Sequence, residues 1–303
     1  GKLSKHEVVI KSHYSTINYK DILICRGNPG LVRKFPHIPG IDIAGEIVLS
    51  KSKKFKIGDK VTAVCQPTGI NTSGGWSEYV KIPDKWIEKI PRDISLKKAM
   101  VIGTAGFTAM YSALKLTKLG LKKNNGPVLV TGATGGVGAF SILIFSKMGF
   151  HVQAVTRKIE MSNYLKNLGA KEVIAQSELD NNPVMPLLNP KFSAVIDSVG
   201  GNVLSTASKF VIAGGKVACI GNALSGTVNM SLMPLILRGI DMIGINAEMA
   251  SNKERQHTWR SLTKISNSSL DKIFKEYKFE DLQKVISNLT KEYTGGRRII
   301  KFL

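Results

Sequence analysis

The stretch "VTGATGGVGAF", residues 130–140, places Gly132, Gly135 and Gly138 three positions apart. An apolar run enters this stretch, as in a parallel strand buried on both faces, and the apolar residues after it recur at helical spacing. Glycines between a strand and a helix let the backbone approach a pyrophosphate, and the free N–H groups of the helix N-terminus favour an anion. The stretch therefore predicts a dinucleotide site, with a merely tight strand-to-helix turn as the alternative.

Five further apolar segments follow this turn, each short enough to be a strand. They read "HVQAVT", "EVIA", "SAVIDSV", "GGKVACIG" and "DMIGINA". Strands that alternate with helices predict a doubly wound α/β domain with a parallel sheet, which we expect over residues 99–248.

The second strand of this domain leads into "AVTRKIE", residues 154–160. A protein that binds NAD usually carries an acidic residue here, because a carboxylate accepts hydrogen bonds from the ribose hydroxyls and repels a 2′-phosphate. Thr156, Arg157 and Lys158 instead offer a hydroxyl, a guanidinium and an ammonium group, which suit a phosphate dianion. The segment predicts NADP(H), unless these cations are incidental at an exposed helix start.

The N-terminal third of the chain is rich in short β signals. It contains "HEVVIKSHYSTI", "GIDIAGEIV", "GDKVTAV" and "GGWSEYVKI", and many short strands at close spacing predict a small β-barrel or sandwich. The C-terminal "RRIIKF" reads as a strand that returns to this domain. We therefore expect the first domain to comprise residues 1–98 and 249–303.

The composition, with 43% hydrophobic and 21% charged residues, fits a soluble globular protein. We find no secretory leader and no apolar run of membrane-span length, so we expect a cytoplasmic protein without a membrane partner. The cysteines Cys25, Cys65 and Cys219 lie far apart, which predicts neither a disulfide framework nor a cysteine metal site.

The net charge of +21 admits two interpretations. Lysines dominate the basic residues and are spread along the chain, with a local cluster in "KSKKFK", residues 51–56. This pattern favours a general lysine bias and argues against a nucleic-acid partner. The alternative is a surface for a polyanion, which would make the protein a basic nucleic-acid-binding protein on an enzyme fold.

Motifs along the whole chain resemble one family. The segments "TINYKD" (16–21), "FPHIPGIDIAG" (35–45), "GTAGFTAM" (103–110), "TGATGGVG", "IDSVGG" (196–201) and "MPLILRG" (233–239) are similar to the quinone oxidoreductase branch of the medium-chain dehydrogenase/reductase superfamily, which includes NADPH-dependent acrylyl-CoA reductases. The resemblance implies an α/β protein with a GroES-like β-barrel catalytic domain and a doubly wound parallel-sheet (Rossmann) cofactor domain. Family members have one or two more strands before the position of Leu3, so we expect residues upstream of Gly1.

The resemblance also implies which residues bind NADP(H). Family members hold the pyrophosphate at the glycine-rich turn, the 2′-phosphate after the second strand, and the nicotinamide and ribose with residues from other loops. The matching positions are Tyr19, Gly132, Thr134, Gly135, Gly136, Val137, Thr156, Arg157, Lys158, Asn222, Ile236 and Ala247. Relatives often carry a basic residue where this chain has Gln176, which implies a weaker phosphate contact.

The N-Y-K-D motif supplies the candidate catalytic residues Asn18, Tyr19 and Asp21. The resemblance implies hydride transfer from NADPH to the β-carbon of an α,β-unsaturated thioester, converting acrylyl-CoA to propionyl-CoA, and the charge that develops on the carbonyl oxygen needs hydrogen-bond donors. The candidate donors are the Asn18 amide and the Tyr19 hydroxyl, and we expect Asp21 to orient Lys20 or Asn18. The alternative function is an NADPH:quinone oxidoreductase. The alternative interpretation of the motif is a strand-to-helix turn capped by Asn18 and Asp21.

Coenzyme A carries phosphate groups, so an enzyme that binds it gains from cations at the rim of the substrate cleft. Arg26 and Arg33 flank the loop "GNPG", residues 27–30, which is the kind of surface loop that carries such residues. They are the predicted residues for binding the coenzyme A moiety.

The sequence predicts no metal. Zinc alcohol dehydrogenases of the superfamily carry Gly-His-Glu at the catalytic site, whereas the matching tripeptide here is Gly40-Ile41-Asp42, and the histidines have no ligand spacing. Reduction of an activated C=C bond needs no metal, because the substrate's own carbonyl accepts the charge. We also expect a homodimer in which the edge strand over residues 241–247 pairs across a two-fold axis.

Overall fold

The computed structural model describes residues 3–70, 72–288 and 295–302. The chain forms two compact units: a β-rich unit, with the described residues up to Phe107 and from Trp259 onward, and an α/β unit, Thr108–Thr258. The chain passes from one unit to the other after Phe107 and after Thr258. Both boundaries lie later in the chain than the expected boundaries after residues 98 and 248. The reason is that a helix continues through each crossing, Leu96–Lys118 at the first and Asn252–Thr263 at the second.

The elements of the described residues are labelled in chain order. The strands are β1 (Glu7–Ile17), β2 (Ile43–Ser50), β3 (Lys60–Ala63), β4 (Tyr79–Pro83), β5 (Glu88–Lys89), β6 (Val128–Val130), β7 (Val152–Thr156), β8 (Glu172–Ala175), β9 (Phe192–Asp197), β10 (Val211–Cys219), β11 (Asp241–Gly244), β12 (Phe274–Lys278) and β13 (Arg297–Lys301). The α-helices are α1 (Tyr19–Cys25), α2 (Leu96–Lys118), α3 (Gly136–Lys147), α4 (Ser162–Leu168), α5 (Ser177–Asp180), α6 (Gly201–Lys209), α7 (Met233–Arg238), α8 (Asn252–Thr263), α9 (Asn267–Leu270) and α10 (Leu282–Asn288).

The described strands of the β-rich unit form a seven-stranded sheet in the order β12-β13-β1-β2-β3-β5, with β4 pairing with β1. The long strand β1 pairs antiparallel with β2, β4 and β13. Because β13 comes from the C-terminal segment, the predicted return of the tail to the first domain is confirmed. Strand β12 was not predicted from the sequence; it pairs parallel with β13 and is charged at three of its five positions.

Two apolar clusters build the core of the β-rich unit. The larger one contains buried residues of β1 to β4, among them Ile10, Ile43 and Ile82. The smaller one includes Ile17 and Trp76, and the Trp76 Nε1–H donates to the Thr16 carbonyl at 2.9 Å. This second cluster therefore anchors the end of β1, where the N-Y-K-D motif begins.

The α/β unit contains, in its described residues, a six-stranded parallel sheet in the order β11-β10-β9-β6-β7-β8. The six predicted strands and the doubly wound fold class are confirmed. All strands of a parallel sheet end at the same edge, and here the strand order reverses between β6 and β9. Ligands of such folds bind outside the carboxyl ends of the strands at that reversal, so the glycine-rich turn after β6 lies at the expected binding crevice.

Strand β11 lies at one edge of this sheet. An edge strand presents unpaired backbone groups that a second copy could pair with, as the predicted homodimer requires. The dimer itself stays a prediction.

Helix α2 is long and apolar enough to cross a membrane by length and composition alone, and 83% of its most apolar 18-residue window is buried inside the protein. The helix is interrupted at Gly103, which has φ 48° and ψ −162°. Only glycine adopts this backbone conformation without strain.

Candidate active site and cofactor site

The N-Y-K-D motif is a strand-to-helix turn, since β1 ends at Ile17 and α1 begins at Tyr19. Asp21 closes the turn, because its Oδ2 accepts the backbone N–H of Asn18 at 2.8 Å. Its Oδ1 accepts the backbone N–H groups of Gly40 at 3.0 Å and Ile41 at 2.9 Å. The capped turn is therefore present, and Asp21 both orients Asn18 and ties α1 to the loop that precedes β2.

The carboxyl group of Asp21 is completely buried. Its pKa is raised to about 7: burial is the main cause, the backbone hydrogen bond from Asn18 acts to lower the pKa, and the negative charge of Asp42 acts to raise it. Asp21 therefore changes charge close to neutral pH. Its oxygens point at backbone N–H groups, which makes it a capping and positioning group.

The side-chain amide of Asn18 is engaged at both ends. Its Nδ2 donates to Thr16 Oγ1 at 2.8 Å and to Asp42 Oδ2 at 3.0 Å, and its Oδ1 accepts from Arg297 Nη1 at 2.6 Å. An amide nitrogen has two hydrogens to donate, and these contacts use both. The geometry does not favour the Asn18 amide as a donor to a substrate oxygen, and that role stays a prediction.

Asp42 lies at the centre of the same cluster and is fully buried. Its carboxylate accepts the Thr104 hydroxyl at 2.6 Å and the Thr16 hydroxyl at 2.7 Å, and it pairs with Arg297 Nη2 at 3.0 Å. Thr104 and Arg297 were not among the predicted site residues. Arg297 lies 279 positions from Asn18 in the sequence, so no local spacing connects them.

Tyr19 is the member of the motif that faces outward, with 54% of its side chain exposed. Arg26, at the C-terminal end of α1, and Arg33 are exposed in the same β-rich unit. A phenol and two guanidinium groups are therefore exposed on the β-rich unit. Their roles toward cofactor and substrate stay predictions.

The glycine-rich turn connects β6 to α3, as predicted. A Cβ at Gly138 would overlap the carbonyl oxygen of Gly132 and lie 2.8 Å from Ala133 Cα, so the helix packs on the turn only with glycine at position 138. Helix α3 begins at Gly136 and has no acidic side chain in its first turn. The positive end of the helix dipole is therefore unopposed, and the turn fits a pyrophosphate. Of the other predicted members, Thr134 is buried and Val137 is half-buried.

A buried carboxylate holds the start of this turn. Asp197, at the end of β9, accepts the Thr131 hydroxyl at 2.6 Å and the Gly200 backbone N–H at 2.8 Å. Burial raises the pKa of Asp197, and the hydrogen bond from Thr131 acts to lower it. Asp197, the last residue of β9, thus holds Thr131, the residue that follows β6, at the point where the strand order reverses. Asp197 belongs to the "IDSVGG" motif but was not among the predicted site residues.

The basic segment follows β7 at the same edge of the sheet. Thr156 is buried, and its Oγ1 accepts the backbone N–H of Lys158 at 2.9 Å. Lys158 is half-buried and Arg157 is exposed. The backbone N–H of Gln176 donates to the Thr156 carbonyl at 2.8 Å, so the position where relatives are often basic lies beside the segment, as the resemblance implies.

The three remaining predicted cofactor residues lie in the last third of the α/β unit. Asn222 is exposed just after β10, and Ala247 is buried shortly after β11, so both follow strands at the carboxyl edge. Ile236 lies within α7, between these strands, and is 64% exposed. Their contact with a nicotinamide or ribose stays a prediction.

Within the described ranges, no group of three or more His, Cys, Asp and Glu side chains is placed to hold a metal ion. At the position that matches the zinc enzymes, Asp42 forms an ion pair with Arg297. The absence of a metal from the reaction stays a prediction.

The combination of a GroES-like unit and a parallel-sheet unit with this strand order and glycine-rich turn defines a dinucleotide-dependent oxidoreductase fold. The family pattern "Alcohol dehydrogenase GroES-like domain" matches residues 4–92, and the pattern "Zinc-binding dehydrogenase" matches residues 136–266. The chain belongs to the medium-chain dehydrogenase/reductase superfamily, in the branch of quinone oxidoreductases and acrylyl-CoA reductases, as the motifs implied.

Several relatives match almost the whole chain. "Putative quinone oxidoreductase YhfP" of Bacillus subtilis is 37% identical, covering 99% of this chain and 91% of the relative. "Acrylyl-CoA reductase AcuI" of Ruegeria pomeroyi is 34% identical, covering 97% of this chain and 89% of the relative. The YhdH oxidoreductase of Salmonella enterica, solved with NADP, has a TM-score of 0.94 at 33% identity, covering 99% of this chain and 92% of that one. YhfP, solved with NAD, has a TM-score of 0.92 at 38% identity with the same coverage.

Proposed function

We propose that this oxidoreductase uses NADPH to reduce the C=C bond of a short α,β-unsaturated acyl-CoA, with acrylyl-CoA as the expected substrate and propionyl-CoA as the product. The observation that carries the proposal is the similarity to an acrylyl-CoA reductase over nearly the full length of both chains. We also propose that the enzyme is located in the cytoplasm.

The α/β unit holds the cofactor in this proposal. The glycine-rich turn and the N-terminus of α3 bind the pyrophosphate, and the segment after β7 binds the 2′-phosphate. One relative was solved with NADP and another with NAD, so membership of the family does not decide the cofactor. The support for NADPH is the absence of an acid and the presence of Arg157 and Lys158 at the end of β7.

NADPH, when bound, supplies a hydride to the β-carbon of the substrate. The π electrons then move toward the thioester carbonyl, whose oxygen becomes negative, and the α-carbon takes a proton from water. In this proposal Tyr19 donates a hydrogen bond to that oxygen, because its phenol faces outward while the amide of Asn18 is engaged with Thr16, Asp42 and Arg297. Asn18 and Asp21 then act through the backbone of the turn that carries Tyr19.

Arg26 and Arg33 provide charge for the coenzyme A moiety. Both guanidinium groups are exposed, so they are free to meet the phosphates of a large substrate. A quinone without phosphate groups gains nothing from them.

The second candidate is an NADPH:quinone oxidoreductase, which the name of YhfP favours. A panel that follows NADPH oxidation with acrylyl-CoA, crotonyl-CoA and a benzoquinone separates the two functions. The proposal predicts that acrylyl-CoA has the highest kcat/KM of the three. Rapid turnover of the benzoquinone without turnover of either acyl-CoA would replace the proposal with the second candidate.

A further inference from the structure

We propose that Arg297, from the last strand of the chain, is a positioning residue that fixes Asn18 and, through Asn18, the first turn of α1 with Tyr19. The expected effect on turnover rests on the proposed function. The expected effect on the position of the turn concerns the β-rich unit alone and does not depend on that function.

Arg297 is buried, with 3% of its surface exposed, and each nitrogen of its guanidinium has a partner. Nη1 donates to Asn18 Oδ1 at 2.6 Å, Nη2 donates to Asp42 Oδ2 at 3.0 Å, and Nε donates to the Val101 carbonyl at 3.3 Å. These three directions suit the planar fork of an arginine. A lysine presents a single nitrogen and cannot reproduce them.

Charge explains why a cation belongs at this place. Asp42 and Asp21 are both fully buried in the cluster, and a buried carboxylate without a compensating partner is costly. Arg297 compensates Asp42 directly and leaves its second nitrogen for Asn18. The ion pair therefore also sets the direction of the Asn18 amide, since Oδ1 must face Arg297.

The direction of that amide decides the rest of the turn. With Oδ1 toward Arg297, Nδ2 faces Thr16 and Asp42, and the backbone N–H of Asn18 meets Asp21. If Arg297 is lost, Asn18 Oδ1 loses its donor and Asp42 loses its cation, so the amide is held by its Nδ2 contacts alone. The residue that follows Asn18 is Tyr19, so a shift at Asn18 moves the phenol.

Gly103 makes room for this arrangement. A Cβ at that position would overlap the Arg297 guanidinium and lie 2.6 Å from Asp42 Oδ2. Glycine at position 103, where α2 is interrupted, therefore leaves space for the ion pair that contacts Asn18.

The test compares Arg297→Lys with Arg92→Lys, a control that makes the same exchange at an exposed position of the same β-rich unit. Hydrogen exchange is measured for the peptide that contains α1, and kcat and KM are measured for NADPH-dependent turnover. For Arg297→Lys we expect exchange in α1 to rise at least about tenfold while β2 is unchanged. We expect kcat to fall about tenfold with less than a twofold change in the KM for NADPH. The control should change neither quantity.

Two results would overturn the inference: unchanged exchange in α1, or equal effects of both variants. Asn18→Ala provides a second route if Arg297→Lys does not fold, because it removes the link and keeps the ion pair. It should raise exchange in α1 to a similar extent, and in the double variant the two effects should not add. An unchanged α1 in Asn18→Ala would also refute the inference.

Hydrogen exchange needs no substrate, which separates this inference from the proposed function. If the parent protein ignores acrylyl-CoA but exchange in α1 responds as expected, the proposed function fails and the fixing of the turn stands. The kcat arm is then measured with the benzoquinone.

Discussion

Replacing both Arg157 and Lys158 with alanine should remove most of the preference for NADPH and leave the use of NADH almost unchanged. The two side chains follow β7, where the buried hydroxyl of Thr156 accepts the backbone N–H of Lys158. That hydrogen bond sets the backbone of the segment without either cationic group. The variant therefore keeps this backbone hydrogen bond and loses both cationic groups.

The magnitude follows from how exposed the two cations are. A hydrogen bond to a charged group contributes about 1.5–3 kcal/mol, but Arg157 is exposed and Lys158 is half-buried, so solvent screens both contacts. We discount each to about 1.5 kcal/mol, so that both together contribute about 3 kcal/mol. This corresponds to a preference of about 100-fold for NADPH in kcat/KM.

The assay measures kcat/KM for NADPH and NADH in the parent protein and in the variant. The matched control is Lys166→Ala with Lys171→Ala, which removes the same charge from exposed positions of the same α/β unit. The control should keep the preference for NADPH. Equal use of both cofactors by the parent protein would refute the reasoning, as would an equal loss of preference in the control.

Four further predictions concern other parts of the protein. Changing Arg26 and Arg33 to alanine should raise the KM for acrylyl-CoA about tenfold at low salt and less at high salt, with a small quinone unaffected; equal effects on both substrates would make the arginines structural. Exhaustive chelation should leave turnover intact, and elemental analysis should find no stoichiometric zinc; loss of turnover that added zinc restores would contradict this. The free energy of unfolding should fall as pH rises from about 4 to about 7, because folded Asp21, with its pKa raised from 3.8 to about 7, keeps a proton that the unfolded chain has lost. Denaturant titrations should find this fall weaker in Asp21→Asn, and identical slopes would contradict the assignment. Gly103→Ala should destabilise the protein by at least ~2 kcal/mol more than Gly120→Ala in thermal denaturation, because both positions have positive φ but only Gly103 lacks space for a Cβ; equal losses would exclude the overlap with the ion pair.

The α/β unit could be predicted from the sequence because its signals are local. The glycine-rich turn, the strand before it and the helix after it occupy one short stretch, and apolar runs mark the other strands. The position of the basic segment followed from the strand order alone, since the strand after the first βα unit of such a sheet ends beside the ribose. Motif similarity supplied the reaction class, which these local signals do not carry.

The cluster beneath Tyr19 could not be predicted, because it joins residues from distant parts of the chain. Thr104 lies 62 positions from Asp42, and Arg297 lies 279 positions from Asn18. The motif alone indicates that Asn18 is a polar residue available to bind substrate. In the structure its amide forms hydrogen bonds with Thr16, Asp42 and Arg297. Strand β12 also could not be predicted, because three of its five residues are charged and its sequence lacks the apolar pattern of a strand. It pairs with β13 of the C-terminal segment.

In the proposed reaction, a hydride passes from NADPH to the β-carbon of an enoyl-CoA. The protein is incubated with acrylyl-CoA and with NADPH that carries deuterium in the transferred position, and the product is examined by mass spectrometry and NMR. We expect propionyl-CoA with a single deuterium, located on the β-carbon. Propionyl-CoA without deuterium at that carbon, or oxidation of the NADPH by a benzoquinone but not by acrylyl-CoA, would contradict it.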